Sequence, residues 1–243
     1  MNKHFIVAAL AAALFAAGTA ASAQNIWDDY NSFKDSRWKK TLSVDRFTPV
    51  GYGLQVIKGD DTFCDVTSMG KNRNFFIGLF DVDYKPLENC MFSLGLILDW
   101  NKYRLNREYY WQPSASPAAS VTPILASTAG IKRVKKSVLK VFSLDLPLDF
   151  TQDLGGGFFF TVGAAAEFNF NGKTKFKGVL TDGTSVKNGG YAAGEIPVRP
   201  VTYNYHAMLS WNNSGIFVKY NPESKFAPGH GPQFSSWTIG LLL

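Results

Sequence analysis

Cysteine is almost missing from this chain, with two in 243 residues. Two cysteines cannot build the disulfide scaffold of a small secreted domain. Histidine and methionine are scarce as well, at three and four, an odd balance for an α/β enzyme. Charge of one sign is also in short supply. The net charge is +6, with 25 Lys and Arg against 19 Asp and Glu, too small and scattered an excess to predict nucleic acid as a partner. No short tract recurs often enough for a solenoid. Past the N-terminus no run reaches eighteen apolar residues, so no second membrane helix is expected. What the chain does have is aromatic mass. Twenty Phe, ten Tyr and six Trp argue against disorder, and the length suits one domain of about 200 residues or two small ones.

The N-terminus predicts export. Lys3 supplies a positive start, Phe5 to Ala17 an apolar stretch, and Ala21-Ser22-Ala23 a small-residue cleavage site before Gln24. That is the pattern of a secretory signal peptide over residues 1–23. A membrane anchor needs about 20 apolar residues, more than this segment supplies. No cysteine follows the cleavage site, so no lipoprotein anchor is expected. Two readings remain: a soluble exported protein, or a chain that crosses a membrane as strands.

Period two recurs along the chain. Phe92, Leu94, Leu96, Leu98 and Trp100 alternate with Ser93, Gly95, Ile97 and Asp99. Phe142, Leu144, Leu146, Leu148 and Phe150 alternate with Ser143, Asp145, Pro147 and Asp149. Phe158 to Phe170, Val201 to Trp211, Ile216 to Tyr220 and Trp237 to Leu243 behave alike. Val50 to Lys58 and Asn74 to Lys85 are weaker, with clean alternation in the latter only where Phe80, Val82 and Tyr84 face away from Asp81 and Asp83. These are eight candidate strands. Most are longer than the five or six residues of a globular strand and suit the nine to eleven of a tilted bilayer crossing.

One face of each strand is apolar over its middle and the other small, polar or ionised. A soluble barrel would turn the apolar face inward; a membrane barrel turns it to lipid. Ring placement favours the second. Tyr84, Phe92, Phe150, Phe158 and Trp211 fall at one end of their strands, and Trp100, Phe142, Phe168, Phe170, Tyr203 and Trp237 at the other, with aliphatic residues between. Aromatic girdles flanking an aliphatic belt suit headgroup levels, whereas a soluble core has no reason to sort its rings. The connections agree. Gly59 to Arg73, Leu105 to Lys136, Gly172 to Pro200 and Asn221 to Gln233 are expected as outer loops, alternating with tight turns at Pro86 to Cys90, Gln152 to Gly156 and Asn212 to Ser214. Pro113 to Pro123 is a low-complexity loop tip.

Four stretches carry a family resemblance: SLDLPLDF (Ser143 to Phe150), GGGFFFTVGAAAEFNFNGKTKFKG (Gly155 to Gly178), LSWNNSGIFVKYNPESKFAPGHGP (Leu209 to Pro232) and FSSWTIGLLL (Phe234 to Leu243). In their order and spacing they resemble the eight-stranded outer-membrane β-barrel proteins of Bacteroidota, an OmpX- and OmpA-like architecture that includes PorT-like proteins. The chain departs from that pattern in ending on Leu243 rather than an aromatic and in lacking a Trp-rich opening strand. The resemblance implies a C-terminal strand read by the outer-membrane assembly machinery and a bulge at Pro147, a residue otherwise unexpected in a paired strand.

The expected fold is therefore an all-β, eight-stranded, antiparallel up-and-down transmembrane barrel over 50–243. Residues 24–49 form an N-terminal periplasmic segment or the start of the first strand. The expected location is the outer membrane of a Gram-negative bacterium, as a monomer among outer-membrane lipids and lipopolysaccharide. The inward polar set is Asp81, Asp83, Asp99, Asp145, Asp149, Glu167, His206 and Lys219. It could line a proton or cation path or supply acid–base carboxylates. The favoured reading is a narrow interior filled by paired side chains, with the surplus acids wet near the mouths or met by bases from Arg37 to Lys40 or the loops. Catalysis needs a nucleophile within reach of a base. Ser210 lies about 13 Å along the strand from His206, and His230 sits in a Pro228 to Pro232 turn. GxSxG, HExxH and phosphate-loop motifs are absent. The chain is expected to be non-enzymatic, without catalytic residues, cofactor or metal, and too narrow for a porin-type channel. Lys132, Arg133, Lys135 and Lys136 are expected at the base of an outer loop, where they could pair with lipopolysaccharide phosphates. Cys64 and Cys90 would lie roughly 30 Å apart on this threading, beyond disulfide reach. The alternatives are a soluble lipocalin-like barrel with Phe160, Val162, Leu94 and Leu96 inside and Asp145 and Glu167 outside, or a lipid-modifying outer-membrane enzyme.

Overall fold

A computed structural model of the chain describes residues 42–45, 49–59, 67, 70–87, 89–114, 120–188, 190, 192, 196–211 and 214–243. The signal peptide, most of 24–49 and Cys64 lie outside these residues, and Cys90 is a free thiol. Among the described residues the strands are β1 (Leu42–Asp45), β2 (Val50–Gly59), β3 (Asn72–Leu87), β4 (Cys90–Arg104), β5 (Tyr109–Ser114), β6 (Ser120–Leu125), β7 (Ile131–Gly155), β8 (Phe158–Leu180), β9 (Ser185–Lys187), β10 (Val201–Trp211), β11 (Ser214–Asn221) and β12 (Phe234–Leu242). No helix among them is long and apolar enough to cross a membrane.

Eight of these strands close on themselves. β2 pairs with β3, β3 with β4, β4 with β7, β7 with β8, β8 with β10, β10 with β11, β11 with β12, and β12 returns to β2, every pair antiparallel. Closure leaves none of the eight with an unpaired edge, the only arrangement that removes the edge-strand liability altogether. The three tight turns lie at one end of this ring, here the lower end, and the long connections at the upper end. At the β7–β8 turn, Gly155, Gly156 and Gly157 all have positive φ, of 82°, 64° and 82°, which an L side chain would resist.

Two strands run far past the lengths expected from sequence. β7 spans 25 residues where Phe142 to Phe150 alone reads as strand, and β8 spans 23 where Phe158 to Phe170 does. The upper segments keep period two with different residues. Lys173, Lys175 and Lys177 alternate with Thr174, Phe176 and Gly178, so the strand continues although its outer face is no longer apolar. Within the expected loop Leu105 to Lys136 the described residues form the β5–β6 hairpin, a 3-10 turn at Ala126–Ala129 and the start of β7. Burial explains the order. Trp111, Val121, Leu139, Val141, Ile196, Phe226 and Phe234 share one buried cluster, and Tyr110, Ile131, Val134 and Phe176 another. The upper connections thus carry an apolar core of their own.

Two irregularities have local causes. The weak alternation of Asn74 to Lys85 reflects a bulge: Gly78 faces Ile97 and Phe80 faces Leu96, which leaves Leu79 extra and resets the inward face from Asn74, Phe76 and Gly78 to Asp81 and Asp83. Pro147, by contrast, is not at a bulge. It pairs in register with Ala165 of β8, and the β4–β7 ladder simply lapses opposite Gly95 and Leu96 before resuming unshifted at Ile97–Asp145. A proline lacks the N–H that this edge of β7 would offer β4. Gly95 makes room for the ring, since a Cβ there would sit 3.1 Å from Pro147 Cγ.

Candidate functional site

The inward residues of the ring form three layers. In the upper layer, Asp99, Asp145 and Glu167 are buried together, with carboxylate oxygens within 4.8 Å of one another. Three carboxylates stripped of water cannot coexist without compensation. Lys219 supplies part of it: its ammonium bonds Asp99 and lies 3.7 Å from Asp145 and 3.7 Å from Glu167. Lys225 supplies a second positive charge, so two cations stand against three carboxylates. It descends from the β11–β12 connection to bond Glu167 and donates to Thr202 Oγ1 at 3.1 Å. Of the two origins considered for the missing bases, the loops provide one; Arg37 to Lys40 lie outside the described residues.

Amides complete the layer. Asn74 and Asn101 donate to Asp99 Oδ1 at 2.5 and 3.0 Å, and Gln55 donates to Asn101 Oδ1 at 2.6 Å. Glu167 accepts from Asn204 at 2.9 Å, on both oxygens from Asn221 Nδ2 at 2.8 Å, and from Thr202 at 2.9 Å. The Lys219 ammonium stands among all three carboxylates and Lys225 holds Glu167, so the cluster acts as a plug tied by two cations.

Beneath it lies an apolar layer of Phe76, Phe217 and Leu242 with Ile97 and Met208 packed against them. The Phe76 and Phe217 rings meet edge to face at 5.0 Å. The space left between plug and rings is about 20 Å³, room for about one water. Below the rings the interior opens into a cavity of about 640 Å³ lined by Asp81, Asp83, Asp149, Asp153 and Lys85 among others. His206 stands near it, with Nε2 2.7 Å from Asp149 Oδ1 and Nδ1 3.1 Å from Asn204 Oδ1. Both ring nitrogens therefore face oxygen partners, neither of them a hydroxyl nucleophile. Gly163 permits this contact, since a Cβ there would fall 2.0 Å from Asp149 Oδ1. His230 lies in a turn, its N–H donating to Ala227 O at 3.0 Å and its carbonyl accepting from Val121.

The outer face is the inverse of a soluble protein. Leu94, Leu148, Phe160, Val162, Ile216, Ile239 and Leu241 are all exposed, Leu148 at 61%, while Glu167 inside is at 0%. The lipocalin-like alternative requires Phe160, Val162 and Leu94 inside and Asp145 and Glu167 outside, and the side chains point the other way; Leu96 is buried, but on the outward face.

All eleven rings expected at the strand ends are on the outer face, none of them buried. Near the upper end Trp100 meets Phe142 at 5.2 Å, Phe142 meets Phe170 at 5.6 Å, and Tyr220 stacks on Trp237 at 4.4 Å. Phe168 and Tyr203 complete the set on β8 and β10. Near the lower end Phe92 meets Phe150 at 5.2 Å, with Tyr84 opposite Phe92, and Phe158 stacks on Trp211 at 5.9 Å. Phe75, 5.6 Å from Trp100, extends the upper row; it escapes a period-two reading because the Leu79 bulge breaks its strand's pattern.

Above the upper rings the outer face turns basic. Arg73, Lys102, Lys140 and Lys173 face one another in register across β3, β4, β7 and β8, two residues beyond Phe75, Trp100 and Phe142. Lys175 and the row Lys136, Lys177 and Lys187 follow above. Burial, and then the Lys175, Lys102 and Lys136 ammoniums around it, hold the Lys140 ammonium below the ordinary lysine range. Lys132, Arg133, Lys135 and Lys136 are exposed as expected of a loop base, but they belong to β7, where Lys132 and Lys135 are the extra residues of two bulges.

No family model and no curated protein matches this chain. Among solved structures it is similar to Ail, the attachment invasion locus protein of Yersinia pestis, in complex with the heparin analogue sucrose octasulfate. There the identity is 16%, the coverage 83% of this chain and 95% of that one, and the TM-score 0.35. It is also similar to the P. putida toluene transporter TodX, at 13% identity, 83% and 54% coverage and a TM-score of 0.24.

The expected inward set omits Lys225, Gln55, Asn74, Asn101 and Asn221, which the structure brings into the upper layer. Lys225 sits in a loop with no periodicity to orient it. Gln55 was legible by parity, on the face opposite Tyr52, Leu54 and Val56.

Proposed function

We propose that the chain is an integral outer-membrane β-barrel with a structural or surface-interaction role, related to the Bacteroidota OmpX-like and PorT-like barrels and performing no turnover. One observation carries the reading. A closed ring buries its ionised groups and exposes Leu, Val, Ile and aromatic side chains around its outside. Water would penalise that distribution, and hydrocarbon requires it. The belt approaches the ~25 Å apolar band of outer-membrane barrels. Phe92 to Trp100 covers eight residue steps, about 27 Å along the strand and roughly 20 Å vertically at barrel tilt.

The layered interior supports a closed barrel. The Asp99–Asp145–Glu167–Lys219–Lys225 plug and the Phe76–Phe217 pair leave space for only about one water between them. Solute passage would require both layers to move. The β5–β6 hairpin and the other described parts of the upper connections, rather than the lumen, are then the parts offered to the outside. The β12 strand, with Leu241 exposed and Leu243 exposed just beyond it, is the element the assembly machinery would read.

The test is fractionation of the native host, followed by gel migration of the membrane fraction with and without boiling. Outer-membrane signal with a heat-dependent shift is the expected result. A protein recovered wholly in the soluble periplasm would overturn the reading.

A further inference from the structure

The basic rows on the outer face go beyond the loop-base run seen in the sequence. Arg73, Lys102, Lys140 and Lys173 stand on four neighbouring strands, so at strand spacing the row spans about 15 Å. It lies one outward-facing position beyond the upper aromatic row, about 7 Å along the strand. Lys136, Lys175, Lys177 and Lys187 add four more cations on the same side within three further positions. No carboxylate occupies these rows, and none of these cations forms an ion pair with a described carboxylate.

A cluster of this kind keeps its self-repulsion unless an anion neutralises it; burial first, and then the Lys175, Lys102 and Lys136 ammoniums, lower Lys140. Its height selects the anion. Rings flanking an apolar belt sit at the headgroup level, so cations immediately beyond them meet the phosphates of the lipid itself. Flexible lysine stems on the curved outside of the ring can converge on several phosphates of one headgroup, with Arg73 as the planar contact at one end.

Resting on the membrane-barrel reading above, we infer that the Arg73–Lys102–Lys140–Lys173 row is a docking site for the phosphates of lipopolysaccharide in the outer leaflet, with Lys175, Lys136 and Lys177 as its upper wall. Lys132, Arg133 and Lys135 stand further from the rings and contribute little to it. One lipid molecule is thereby held against the β3–β4–β7–β8 side of the barrel.

The experiment uses the full mature chain in detergent micelles, titrated with purified lipopolysaccharide and with the same material stripped of phosphate. Two variants remove equal charge: Lys102→Gln/Lys140→Gln/Lys173→Gln, and Lys132→Gln/Arg133→Gln/Lys135→Gln. All three proteins are first checked for heat-dependent gel migration, which reads the barrel independently of lipid binding; loss of that shift in the wild type would sink the membrane reading rather than the site. At about one kcal/mol per cation near an anionic surface, the first variant should bind about 100-fold more weakly. The second should lose less than threefold, and the wild type should lose affinity for phosphate-free lipid as the first variant does. Equal losses in the two variants, or undiminished binding of phosphate-free lipid, would overturn the assignment. If the triple variant loses its heat shift, the single changes Lys102→Gln and Lys173→Gln, both at exposed positions, decide by the same comparison.

Discussion

Leu146 is the position where the membrane reading can be tested hardest. It sits midway between Phe142 and Phe150 on β7, faces outward, and pairs with Ala166. Replacing it with Arg places a charge at the middle of the apolar belt. If that belt meets lipid, the cost is about 2–4 kcal/mol, a factor of about 30 to 700 in the folding equilibrium. If it meets water, a substitution at a side chain already 38% exposed should stay within about 0.5 kcal/mol. The two expectations do not overlap. The assay is equilibrium urea unfolding from phospholipid vesicles, read by tryptophan fluorescence and by the heat-shifted gel band. A companion change, Tyr84→Arg in the lower aromatic row, should cost only about 0–1 kcal/mol, because the penalty falls towards the interface. A Leu146→Arg protein as stable as wild type, or equal costs at both depths, would refute the inside-out reading.

Other outcomes follow from the interior. Lys219→Met leaves Asp99 buried without its ammonium and should lower stability by about 3–5 kcal/mol in the same urea assay, with Lys219→Met/Asp99→Asn recovering part of the loss; an unchanged midpoint would contradict the plug. Lys225→Met should release the β11–β12 connection, so limited proteolysis is expected to cut between Asn221 and Gln233 while the heat-shifted band persists. Gly163→Val drives side-chain atoms into Asp149 and the Leu148 carbonyl, 2.0 and 2.7 Å from the new Cβ. It should cost about 1–3 kcal/mol and displace the His206 ring signals in NMR spectra. Gly156→Ala meets only the Phe158 ring, at an ordinary 3.9 Å, and bears the strain of its φ of 64°, about 1–2 kcal/mol; a larger loss than at Gly163 would reverse this account.

Much of the ring was written in one dimension. Alternation is a local property, because successive side chains of a strand point to opposite faces whatever the strand later pairs with. That is why Phe92 to Trp100, Phe142 to Phe150 and Val201 to Trp211 were legible, along with the inward set from Asp81 to Lys219 and the sorted rings. The order of long and short connections was equally local. It failed where period two was broken, at Leu79, or where the apolar face gave way to lysine, as in Lys173 to Lys177.

Alternation cannot say which face is inside, since inverting every strand preserves the pattern. Only ring closure decided that, by burying Glu167 and exposing Leu148. Nor could spacing bring Lys225 to Glu167 across 58 residues, or align Arg73, Lys102, Lys140 and Lys173 into one row from four separate strands. Such neighbours are set by cross-strand register, a relation between distant segments that exists only once the chain has closed.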